Sequence, residues 1–143
     1  MLDDFKYRRK LNTLFAKQKK QKQFYDEYIE KARKEGKDKE EIEMLQAEAS
    51  HEYFELQDKI RLLTSTHLFQ KAHKLIVQSP DHRDEELWTR SLTSYGRLIL
   101  TEKGINELRE RIHAEQKRRR DAFLPWLGAL TGIIAALTGL FAV

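Results

Sequence analysis

Residues Phe123 to Val143 read FLPWLGALTGIIAALTGLFAV, 21 residues without one charged side chain. A helix rises about 1.5 Å per residue, so this stretch extends roughly 30 Å, the thickness of a bilayer core. Lys117, Arg118, Arg119 and Arg120 stand just before it. The positive-inside bias then keeps that flank in the cytoplasm. Trp126 lies near the same end, at the depth expected of an interfacial ring, and Pro125 falls in the first turn of the span, where a missing N–H does little harm. The expected layout is a tail-anchored protein with a cytosolic body before one membrane helix. A secretory signal does not fit, because the charged start MLDDFKYRRK has no apolar region. A helix lying on the lipid surface keeps a charged face, and this one has none. A buried helix in a soluble protein would need apolar partners that the rest of the chain does not supply.

The chain has 143 residues, with 27 Lys+Arg, 23 Asp+Glu and a formal net charge of +4. Every charge lies at or before Asp121. Of 57 hydrophobic residues, 16 fall after Asp121, so the preceding 121 residues hold only 41. The mean hydropathy of −0.72 therefore averages two materials. The charged part has too few apolar groups for one large globular core. With no cysteine, neither a disulfide scaffold nor a thiolate metal site is available.

Working back from the span, Gly128 and Gly132 form a GxxxG, Ala136 continues that face, and Gly139 follows seven residues after Gly132. Small residues let helix backbones approach in lipid, so these four are the candidate packing face of a homo-oligomer.

Upstream, the expected architecture is mainly all-α. Residues 1–78 should form an antiparallel helical hairpin or coiled coil. Residues 79–100 form a short irregular junction with small strands, 101–122 a juxtamembrane helix, and 123–143 the transmembrane anchor. Residues 3–35 lack Pro and Gly and are rich in helix formers, with Phe5, Leu11, Leu14, Phe15, Phe24, Tyr28 and Ile29 as a loose apolar stripe. Gly36 suits a helix C-terminus, and Asp38 with Glu41 matches a capping box. A second helix should run from about 39 to 76. Ile42, Ala49, Leu56 and Leu63 recur every seven residues, with Leu45, Tyr53, Ile60 and His67 beside them, as in a coiled-coil seam. Tyr25, Tyr28, Tyr53 and Phe54 could stack nucleic-acid bases, but at this spacing they read as seam packing.

Ser79-Pro80-Asp81 breaks the second helix. Asp84 to Trp88 reads as a short helix, Ser94-Tyr95-Gly96 as a turn and Arg97 to Leu100 as a strand. Thr101 is the expected N-cap of a third helix carrying Ile105, Leu108 and Ile112 on one face; nothing breaks that helix before Pro125, and one near-continuous helix is expected from about 102 through the span. A strand followed by LTxxGxxxL and a helix also suits the wing of a winged-helix DNA-binding domain. That fold needs a compact helix-turn-helix upstream, where this chain has a long polar hairpin.

Residues 70–143 resemble an uncharacterised group of small bacterial proteins. The resemblance rests on Glu86-Leu87-Trp88, on Leu100-Thr101-Glu102-Lys103-Gly104 with Leu108-Arg109 and Ile112, on Lys117 to Arg120, and on Leu130-Thr131-Gly132-Ile133. It implies a bacterial inner-membrane setting, single-pass, and brings no activity or functional residue with it.

No constellation points to catalysis, a metal or another cofactor. His51-Glu52 opens like HExxH but meets Glu55, and His67 and His73 do not share a helical face. Gly36, Gly96 and Gly104 are isolated, so no loop cradles phosphate. The expectation is therefore a non-enzyme. Residues 5–25 hold Lys6, Arg8, Arg9, Lys10, Lys17, Lys19, Lys20 and Lys22 and no acid. Such a run can contact anionic lipid at about 1 kcal/mol per cation, or phosphates of nucleic acid without sequence preference. For an anchored chain, lipid is the expected contact in preference to nucleic acid. Three functions compete: a self-associating anchored scaffold that presents its coiled coil to a protein partner, an oligomeric membrane-perturbing effector of toxin or anti-phage type, and a membrane-tethered nucleic-acid binder.

Overall fold

A computed structural model describes residues 2–140, apart from the side chains of 2, 127, 128, 130 and 132–140. The elements are α1 (Leu2–Lys34), α2 (Lys39–Leu75), β1 (Trp88–Arg90), β2 (Leu98–Leu100) and α3 (Glu102–Leu140). α1 ends where Gly36 takes φ +72° and Lys37 N–H bonds Ala32 C=O at 3.1 Å. α2 begins where the Asp38 carboxylate accepts from Glu41 N–H at 2.7 Å. Both caps are where the sequence puts them, but the reciprocal half of the box is replaced. Glu41 pairs with Lys37 instead. The tight turn folds α2 back along α1 as an antiparallel rod roughly 55 Å long.

The rod's seam follows one stripe on each helix. Tyr25 and Ala32 are buried on α1, and Tyr7, Leu11, Leu14 and Ile29 are half-buried along the same face. On α2, Leu56 and Ile60 are buried, and Ile42, Leu45, Ala49, Leu63 and His67 are half-buried. The seven-residue repeat on α2 is thus the true seam, except that Tyr53 lies outside it. On α1 the expected stripe needs correction. Phe5, Phe15, Phe24 and Tyr28 are exposed, and Tyr53 and Phe54 with them. The long polar side chains Gln18 and Gln21 hold the places between Leu14 and Tyr25 that the aromatics were expected to fill.

A second core lies at the open end of the rod. Leu68 and Ala72 of α2 pack with Leu100, Ile105, Leu108 and Ile112, and Phe69, Leu75, Val77 and Trp88 close around them. β1 and β2 form an antiparallel pair with Trp88 opposite Leu100. β2 and the turn at Ser94–Gly96 match expectation. Residues 84–88 do not form a helix. They make a turn in which Leu87 N–H and Trp88 N–H bond Asp84 C=O, and the chain then enters β1. Trp88 stacks on Phe69 at 5.4 Å and donates Nε1–H to Asp81 C=O at 2.9 Å.

α3 runs alongside α2 in the same direction. Leu100 N–H donates to Ser65 Oγ at 3.0 Å at one end, and Arg119 donates to Leu75 C=O at 2.7 Å at the other. The open end of the rod therefore lies beside Arg119, and the Gly36 turn points away from it. One continuous helix runs from Glu102 to Leu140, as expected, so Pro125, in the first turn of the uncharged stretch, sits inside α3. In that position it costs the Asp121 carbonyl its usual intrahelical donor and favours a bend.

α2 stops in an unusual way. Ile76, a β-branched residue, takes the left-handed conformation at φ 59°, ψ 36°, and Val77 N–H bonds Ala72 C=O at 2.9 Å. This is a glycine's place, and the Ile76 side chain is almost fully exposed. Ile76→Gly should therefore stabilise the fold by about 1 kcal/mol, the relief of left-handed strain less the added freedom of the unfolded chain. Chemical denaturation of both chains measures this, and a loss of stability would show that the helix does not end there.

Candidate functional site

Two regions carry polar and aromatic groups that the core does not use. The first lies midway along the rod. Gln18 and Gln21 face α2, and Gln18 Nε2 and Gln21 Oε1 are buried without a hydrogen-bond partner among the described residues. They border a cleft of about 310 Å³ whose other walls include Tyr25, Ser50, Tyr53 and Phe54. Burial, then the nearby Glu52 and Glu48 carboxylates, pushes the Tyr25 phenol above its ordinary value. Phe24 stacks on Tyr28 at 5.9 Å on the exposed side of α1. An unpaired buried polar atom costs roughly 1–3 kcal/mol, so the seam is weakest here. Gln18→Leu with Gln21→Leu should raise stability by about 2 kcal/mol or more in urea unfolding. An unchanged midpoint would mean that the glutamines already find partners in the free protein.

The second region is the open end, where all three helices meet. Lys74 and Asp3 pair at 2.9 Å, and each holds the other in its charged form. The His67 ring stacks on Tyr7 at 3.8 Å, with its Nε2 3.2 Å from an Asp4 oxygen. Burial, against the pull of Asp4, holds the His67 pKa below its ordinary 6.5. Arg8, Lys71, Arg109 and His113 surround the same place. Lower down, Glu115 accepts from Arg118 Nε at 2.9 Å and Arg119 Nε at 2.7 Å, which holds its carboxyl below the usual range. Arg111 donates to Gln78 C=O at 3.2 Å. Arg111 and Arg119 thus satisfy carbonyls where α2 ends.

The eight cations of residues 5–25 are all exposed, but they do not lie at one level. Lys6, Arg8, Arg9 and Lys10 are near the open end, whereas Lys17, Lys19, Lys20 and Lys22 run outward along the rod, up to roughly 25 Å away by helical rise. Of the basic run before the uncharged stretch, Arg118 and Arg119 are tied to Glu115, while Lys117 and Arg120 have no ion pair among the described residues. Phe123, Leu124 and Trp126 are exposed. Gly128, Gly132, Ala136 and Gly139 fall within α3, but their surroundings lie outside the described residues. No helix among the described residues is long and apolar enough to cross a membrane, and most side chains of 127–140 and residues 141–143 lie outside that description.

Sequence reasoning missed the clamp that holds the β-hairpin. Asp58 Oδ2 accepts from Ser91 Oγ at 2.7 Å, Thr93 N–H at 2.9 Å and Thr93 Oγ1 at 2.6 Å. The available signal was Asp58, Ser65 and Ala72, small or polar residues seven apart on a face of α2 that the apolar seam does not use.

The chain matches no known protein family, no curated protein and no solved structure.

Proposed function

We propose that the protein is a membrane-anchored scaffold that presents the α1–α2 rod to a protein partner and associates with itself. One observation carries this reading: α3 is a single helix that begins inside the folded core, passes Arg119 at the open end of the rod, and continues into a stretch whose first aromatic and aliphatic side chains are exposed. Phe123, Leu124 and Trp126 beside the Lys117–Arg120 run suit a lipid interface, with the body on the cytoplasmic side of a bacterial inner membrane. A rod held only at that end stands its cleft and its exposed Phe24, Tyr28, Tyr53 and Phe54 away from the lipid. Self-association rests on the Gly128–Gly132 spacing.

Fractionation of cells expressing the full chain and an Ile133→Arg, Leu137→Arg variant tests the anchor. The full chain should sediment with membranes and resist carbonate extraction, and the variant should be released. A full chain found in the soluble fraction overturns the reading. If expression of the full chain permeabilises cells and Gly132→Leu abolishes this, the membrane-perturbing effector replaces the scaffold.

A further inference from the structure

We infer that the groove between α1 and α3 at the open end binds a phosphate group. Its floor is His67 and Lys71 of α2, one wall is Asp4 and Arg8 of α1, and the other is Arg109 and His113 of α3. The space is about 200 Å³, enough for a phosphate and part of what bears it.

What marks the groove is the convergence of cations from three helices on one concave space. Elsewhere ten cations among the described residues have carboxylates, including Lys31 with Glu35, Lys34 with Glu30, Lys74 with Asp3 and Lys103 with Glu86, and the others stand exposed at the surface. In the groove, Arg8, Lys71 and Arg109 have no ion pair among the described residues, and Arg109 donates to the Asn106 amide oxygen at 3.5 Å. The single acid of the lining, Asp4, lies 3.2 Å from His67 Nε2. Three helices thus converge three fixed positive charges and two imidazoles on a concave site with one carboxylate. Like charges gathered without a counter-charge repel, so the site is electrostatically incomplete without an anion. Guanidinium and ammonium groups arranged around one small space favour a tetrahedral oxyanion, to which Arg donates in a bidentate fork. A second cation-lined hollow, at Lys6, Arg9 and Lys10, draws its cations from one helix and is otherwise lined by Thr13, Leu14 and Leu63.

The phosphate has two possible sources. His113 precedes Phe123 by ten residues, roughly 15 Å of helix. On an upright α3 a soluble phosphate ester reaches the groove directly, whereas a lipid phosphate reaches it if α3 bends at Pro125. The inference does not rest on the membrane reading, because the ligand is the same in either case.

The test uses the full chain in maltoside micelles, which contain no phosphate. The ring resonances of His67 and His113 are followed by NMR in two arms. One arm titrates glycerol 3-phosphate at ionic strength matched with chloride. The other dopes the micelles with phosphatidylglycerol. A saturable shift of the His67 ring in either arm supports the site and names its source. Lys71→Gln and Arg109→Gln should each weaken it roughly tenfold or more, while Lys71→Arg retains it. Lys17→Gln with Lys19→Gln, the same kind of charge loss further out on α1, should leave it unchanged. Circular dichroism confirms that each variant is folded, and a variant that unfolds is replaced by Arg8→Gln. No saturable shift in either arm, or equal weakening by the Lys17/Lys19 pair, overturns the inference.

Discussion

Gly104→Ala is expected to destabilise the protein by at least about 2 kcal/mol, although alanine is the better helix former by about 1 kcal/mol. The reason is contact. A Cβ at Gly104 would stand 2.3 Å from the Leu87 carbonyl oxygen and 3.1 Å from Leu100 Cδ2. The carbonyl cannot retreat freely, because it accepts Thr101 N–H at 2.9 Å. Thr101 Oγ1 donates to Glu86 C=O at 2.6 Å and accepts Gly104 N–H at 3.1 Å. Moving Leu87 therefore loosens the cap of α3 and the link between the 84–88 turn and β2 together. Leu100 and Leu108, both without exposed surface, sit directly beneath. Thermal unfolding of the full chain in mild detergent should show a midpoint lower by roughly 5–10 °C. An alanine variant as stable as the parent would mean that α3 does not approach Leu87 so closely.

That contact also gives the Leu-Thr-x-x-Gly motif a physical meaning. Leu100 fills the core, Thr101 caps the helix, Gly104 allows the close approach, and Ile105, Leu108 and Ile112 continue the buried face. The motif is a fastening, which is why it offered no chemistry to read.

The helices, their caps at Gly36 and Asp38, the α2 seam and the cap at Thr101 were legible because each rests on local rules: helix propensity, a seven-residue repeat and a side chain reaching its neighbours' N–H groups. The features that were not legible are those decided by distant packing. Aromatic residues on α1 looked like seam residues by composition, yet the register set by α2 places Gln18 and Gln21 inside and Phe15 and Phe24 outside. The end of α2 near residue 76 was legible from Ser79-Pro80-Asp81, but its left-handed cap was not, because Ile76 stands where a glycine would announce it. β1 has only three residues, too few for a pattern, and exists because β2 and Phe69 hold it. The groove at the open end unites residues more than 100 positions apart, so no spacing rule reaches it.

Asp58→Ala should cost about 3 kcal/mol, because it removes the one acceptor shared by Ser91 and Thr93 and leaves their donors to find water in a largely closed site. The loop from Ser91 to Arg97 should then open to proteolysis near the exposed Leu92 and Tyr95, while the rod remains helical. Asp58 also sets a pH dependence with a definite sign. Burial alone would raise its pKa, but the hydrogen bonds from Thr93 and Ser91 together outweigh burial and hold the folded value below the ordinary 3.8. The unfolded state then takes up its proton first as pH falls. The stabilisation is complete well above pH 3.8 and is lost as pH falls through the depressed folded value. Asp58→Asn cannot titrate, so the stability gap between it and the parent should be constant near neutral pH and shrink below about pH 4. Urea unfolding at several pH values measures that gap, and carbonyl NMR of Asp58 reads its titration directly. A folded pKa at or above 3.8 would mean that burial, and not the three donors, governs this carboxylate, and that the β-hairpin is held mainly by its apolar side.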